Sequence, residues 1–67
     1  MKAWAIGRMV GGERRYYADE APGSDVPRWI ADPEKAWAVI EQNWAEAVRE
    51  ELAGQGFSDT FLISVDL

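Results

Sequence analysis

The chain has 67 residues and contains neither cysteine nor histidine, so disulfide staples, thiol nucleophiles and imidazole bases are excluded, and zinc is left without its usual nitrogen and sulfur ligands. Its net charge of −5 is split: residues 1–18 carry Lys2, Arg8, Arg14 and Arg15 against Glu13 alone, a net +3, whereas eleven acids against Arg28, Lys35 and Arg49 give residues 19–67 a net −8. A field of that sign repels nucleic acid and anionic membranes and favours a basic partner.

In chain order, residues 2–10 and 13–18 are two extended runs flanking Gly11 and Gly12, a pair suited to a two-residue hairpin turn. Such a turn places Trp4, Ile6, Arg8 and Val10 on one face with Asp19, Tyr17, Arg15 and Glu13. Ala3, Ala5, Gly7 and Met9 then share the other with Ala18, Tyr16 and Arg14, and Tyr16 lies opposite Gly7. The stretch from Asp19 to Val26 reads as a loop. Residues 26–31 could add a short strand, which Pro27 restricts to a sheet edge.

Asp32, Pro33 and Glu34 form a helix-start signature, and Trp37, Ile40, Trp44, Ala47 and Val48 follow at helical spacing. A helix over 33–53 is therefore expected, with Trp37 and Trp44 in the core and Gly54 or Gly56 as the left-handed stop. On that basis Trp44→Ala should cost about 3 to 5 kcal/mol. Residues 60–67 alternate as a half-buried strand. The whole reads as one α+β domain over 1–67 in the order β-β-α-β, with a three-stranded antiparallel sheet of order 2-1-3 and one helix on one face. Area burial favours Trp4, Ile6 and Tyr17 facing that helix. The other arrangement would leave them with Leu62 as an exposed apolar patch.

No catalytic set can be assembled from these residue types, and no enzyme, metal or cofactor is expected. Asp19, Glu20 and Asp25 lack the alternating oxygen ligands of a calcium loop. Gly11 and Gly12 open no helix and so make no phosphate cradle. Arg8, Arg14 and Arg15 interleave with Tyr16 and Tyr17 as on a single-strand nucleic-acid surface, but packing is the simpler role for those rings. An aromatic cage is set aside for the same reason, with Trp29 open between packing and an exposed contact. The lack of cysteine, of a secretory leader pattern and of any apolar run near 20 residues leads us to expect a cytoplasmic monomer with no membrane role.

The acids are the remaining feature. Asp19, Glu20, Asp25, Asp32 and Glu34 would gather near the expected helix start, and Glu41, Glu46, Glu50 and Glu51 lie along it; Glu46 and Glu50 form a like-charge i, i+4 pair. They form either a solubility coat or a binding surface. In size, acidity, lack of cysteine and element order the chain resembles the small phage-encoded anti-CRISPR proteins directed against type I systems, type I-C among them, some of which imitate DNA. That resemblance implies an inhibitor acting in the host bacterial cytoplasm. Its carboxylates would stand in for phosphates on a basic surface of a Cas effector subunit and block target DNA binding. The alternative is a small assembly domain that docks through an apolar sheet face.

Overall fold

The computed structural model describes residues 1–18 and 28–66. Strands β1 (Lys2–Val10) and β2 (Glu13–Ala18) form a hairpin through Gly11 at φ 61° and Gly12 at φ 84°. Both angles are positive, as a type I′ turn requires, and only glycine takes both without strain. The register sets Gly7 opposite Tyr16 and Val10 opposite Glu13.

Three further strands complete one curled antiparallel sheet. β3 (Arg28–Ile30) pairs with β2 as the outermost strand, β4 (Ala38–Val39) pairs with β1 at Trp4 and Ala5, and β5 (Phe61–Asp66) pairs with β1 from Lys2 to Gly7. Gly7 bonds to both β2 and β5, and Ala5 to both β4 and β5, so β2 and β4 lie end to end along one edge of β1 while β5 holds the other. The sheet therefore has five strands rather than the expected three. The order is β3-β2-β1-β4, with β5 also on β1. The physical reason is the length of β1, whose nine residues outlast β2 and leave edge hydrogen bonds for a second short partner.

The expected helix over 33–53 is also corrected. Asp32 does cap, accepting the Glu34 N–H at 3.0 Å, but the turn it caps is a 3-10 turn, Pro33–Lys35, which ends at Ala36 with ψ 149°. Beyond it the Trp37 N–H donates to the Tyr17 carbonyl at 2.9 Å, and Ala38 and Val39 pair with β1. Sheet hydrogen bonds thus replace helical ones, and α1 spans Gln42–Gly54. Its end is a Schellman motif: the Phe57 N–H donates to the Leu52 carbonyl at 3.0 Å and the Gly56 N–H to the Ala53 carbonyl at 3.1 Å, with Gly56 at φ 104°.

The core lies between α1 and the face of β1 that carries Ile6. Ile6, Tyr17 and Leu52 are buried there, packed by Trp29, Trp37, Val48, Phe57 and Leu62. This is the hairpin face that area burial favours, with Ile6 and Tyr17 buried, whereas Trp4, expected beside them, is half-buried and outside that cluster. On the opposite face Ala3 and Ala5 are buried, and the nearest side chains over Gly7 are Ile63 and Phe61 of β5. No helix among the described residues is long and apolar enough to cross a membrane.

Candidate functional site

An α-helix turns about 100° per residue. With Ala45 and Leu52 buried against the sheet, α1 carries Glu46 and Glu50 on one flank and Trp44 and Glu51 on the other. Glu41 is the N-cap residue, three positions before Trp44, and its side chain makes no capping hydrogen bond. Arg49 donates to both carboxylate oxygens of Glu46, at 3.2 and 3.4 Å, so Glu46 is partly neutralised within the helix. Glu41, Glu50 and Glu51 are exposed.

The other acids fall elsewhere. Asp32 and Glu34 are exposed in the 3-10 turn. Glu34 lines a cavity of about 290 Å³ with Pro33, Ala36, Ala38, Val65 and Asp66. Asp19, Glu20 and Asp25 lie outside the described residues. The acids expected to run along one helix are thus divided among a turn and a shorter helix, because the backbone from Ala36 to Glu41 is not helical. Among the described residues no group of three or more potential ligands is placed to hold a metal ion.

Three of the seven basic side chains are paired within the fold, and Lys2, Arg14, Arg28 and Lys35 are exposed without an ion pair among the described residues. Arg8 donates to Asp59 at 3.1 and 3.2 Å, and its guanidinium carbon sits 5.4 Å from the Trp29 ring centre and 5.0 Å from that of Phe57. Arg15 donates to Glu13 at 2.8 Å, and Arg14 lies 5.8 Å from the Phe61 ring centre. With Tyr17 buried and Arg8 and Arg15 engaged, the arginine and tyrosine group of the hairpin does not form an open stacking surface.

The aromatic residues make a continuous series, Phe57, Trp29, Tyr17, Trp37, Trp44, with successive ring centres 5.7, 5.8, 5.7 and 6.2 Å apart. Trp29 is a packing residue within it, half-buried between Tyr17 and Phe57. Trp44 ends the series outside the core at 58% exposure, which corrects its expected burial; Ile40, at the β4 to α1 junction, is 58% exposed as well. Counting the apolar stripe from Ala45 through Val48 to Leu52 would have placed Trp44 outside it. The stronger Asp-Pro-Glu signal upstream set the count in the wrong phase. Comparisons with protein families, with curated proteins and with solved structures find no match to this chain.

Proposed function

We propose that this chain is a small non-catalytic protein that binds a basic protein surface. The observation that carries the reading is the disposition of charge: Arg8, Arg15 and Arg49 are tied to Asp59, Glu13 and Glu46 within the fold, and among the described residues the exposed carboxylates outside ion pairs, Asp32, Glu34, Glu41, Glu50, Glu51 and Asp66, outnumber the exposed cations Lys2, Arg14, Arg28 and Lys35. An outward excess of carboxylates raises the encounter rate with a positive patch and gives specificity against other acidic surfaces.

The narrower form of this reading is an inhibitor of a CRISPR effector complex whose carboxylates occupy phosphate-binding positions. Only part of the acid set can serve at once, since Glu50 and Glu51 lie on different flanks of α1 and Glu46 is paired. A second reading, an assembly domain that docks by apolar contact, is favoured by the exposure of Trp44 and Ile40. It moves the docking surface from the sheet to the helix.

Salt separates the two. The experiment is capture of partners from a bacterial lysate containing an effector complex, at low and at about 0.5 M salt, where the screening length is only about 3 to 10 Å. A nucleic-acid-binding complex captured at low salt, released at high salt and displaced by DNA supports the inhibitor. Capture that persists at high salt and ignores DNA overturns charge recognition and leaves the assembly domain.

A further inference from the structure

Resting on the reading that the partner is basic, we propose that Trp44, Ile40, Glu41 and Glu51 form the docking patch and that its occupant is an arginine-bearing segment of that partner. Trp44 is a large side chain held outside the core, 58% exposed, yet it is not loose: its ring meets that of Trp37 at 85° with centres 6.2 Å apart. Such a contact fixes the indole from one side and leaves the rest of it to solvent. Ile40, also 58% exposed, extends the apolar ground at the β4 to α1 junction.

The surrounding charge identifies the occupant. Glu41, the N-cap residue, precedes Trp44 by three positions, and Glu51 lies on the same flank of α1 as Trp44, about 10 Å further along the axis, so the indole sits on a stretch of surface whose nearest charges at either end are carboxylates. Neither makes an ion pair among the described residues, and the Glu41 side chain makes no capping hydrogen bond. An exposed aromatic ring on a flank that also carries carboxylates matches an arginine-bearing segment, in which one guanidinium stacks on the ring through its face and others donate to the carboxylates. The fold uses the same chemistry internally where Arg8 lies against Trp29 and Phe57 while donating to Asp59. A neutral apolar partner would gain nothing from Glu41 and Glu51, and an acidic one would be repelled.

The test is titration of the ¹⁵N-labelled full chain with a synthetic peptide of alternating arginine and leucine, followed by nuclear magnetic resonance at low salt. The Trp44 indole signal is assigned by its loss in Trp44→Phe. The expected result is movement of that signal and of the Glu41 and Glu51 amides. Affinity should fall about tenfold or more in Trp44→Ala, in keeping with a tryptophan at the centre of a contact. Glu51→Lys and Glu50→Lys supply a matched pair, adjacent in sequence but on different flanks: the first should weaken binding severalfold and the second by less than about twofold.

Peptide binding that leaves Trp44 unmoved, or that is weakened equally by both reversals, overturns the patch while leaving a basic partner in place. Failure of the peptide to bind at all overturns both. Concentration-dependent shifts of Trp44 without peptide would assign the patch to a second copy of the chain and overturn the proposal.

Discussion

Arg8 and Asp59 are separated by 51 positions in sequence and joined by two hydrogen bonds to one carboxylate oxygen. The pair ties the loop after α1 to the hairpin end of β1, and the same guanidinium lies against Trp29 and Phe57. Since Arg8 is about a quarter exposed and Asp59 half exposed, the ion pair alone contributes at most about 1 kcal/mol. The two ring contacts add a comparable amount. Arg8→Ala is therefore expected to cost about 1 to 2 kcal/mol and Asp59→Asn less than about 1 kcal/mol, measured by urea unfolding. Equal losses in the two variants would assign the whole effect to the ion pair.

Leu52 and Trp44 give opposite expectations. Leu52 is 3% exposed beside Ile6 and Tyr17 and accepts the Schellman hydrogen bond from Phe57 through its carbonyl, whereas Trp44 is 58% exposed. Leu52→Ala should cost about 2 to 5 kcal/mol, enough to unfold much of so small a domain. Trp44→Ala should cost less than about 1 kcal/mol, and a larger loss in its urea midpoint would return Trp44 to the core.

These two residues also mark what was legible in the sequence. Gly11, Gly12 and Gly56 sit at positive φ, and the hairpin register follows from the spacing of the glycine pair, because a turn is a local decision taken by a few residues. The helix start was not local. Asp32 caps as its residue type suggests, but whether a cap opens a long helix or a single 3-10 turn was settled by the bond from Trp37 to Tyr17, twenty positions away along the chain. Once that bond held, Ala38 and Val39 joined β1, the stripe was rephased to Ala45, Val48 and Leu52, and the acids were redistributed. The candidate site was legible as an inventory of carboxylates and illegible as an arrangement.

Gly7 offers a test of the sheet itself. A Cβ placed there would lie 2.5 Å from Ile63 Cδ1, 3.2 Å from Phe61 Cε2 and 3.4 Å from the Arg15 carbonyl oxygen. The Ile63 methyl can rotate away, but the ring and the backbone restrict the escape. Gly7→Ala should accordingly destabilise the fold by about 1 to 3 kcal/mol as an overpacked site. Gly7→Ala combined with Ile63→Val should recover part of the loss. Unfolding midpoints of the two variants that differ by nothing would mean that β5 does not lie over Gly7.

The position of Trp44 depends on the break between the 3-10 turn and α1, and that break can be measured directly. A helix running from Pro33 would bring Trp37 and Trp44, two turns apart, onto one face. With Ala36 to Glu41 outside any helix, Trp37 instead stays beside Tyr17 and Trp44 is carried to the outer flank that also bears Glu51. Backbone ¹³Cα shifts should therefore be extended at Ala38 and Val39 and helical from Gln42 onward. Asp32→Ala should cost about 0.5 to 1 kcal/mol through the lost hydrogen bond to the Glu34 N–H, without altering the shifts of α1. Helical shifts running unbroken through Ala36 to Ile40, or fraying of α1 in Asp32→Ala, would restore the longer helix. They would place Trp44 in the core and remove the exposed indole on which arginine recognition depends.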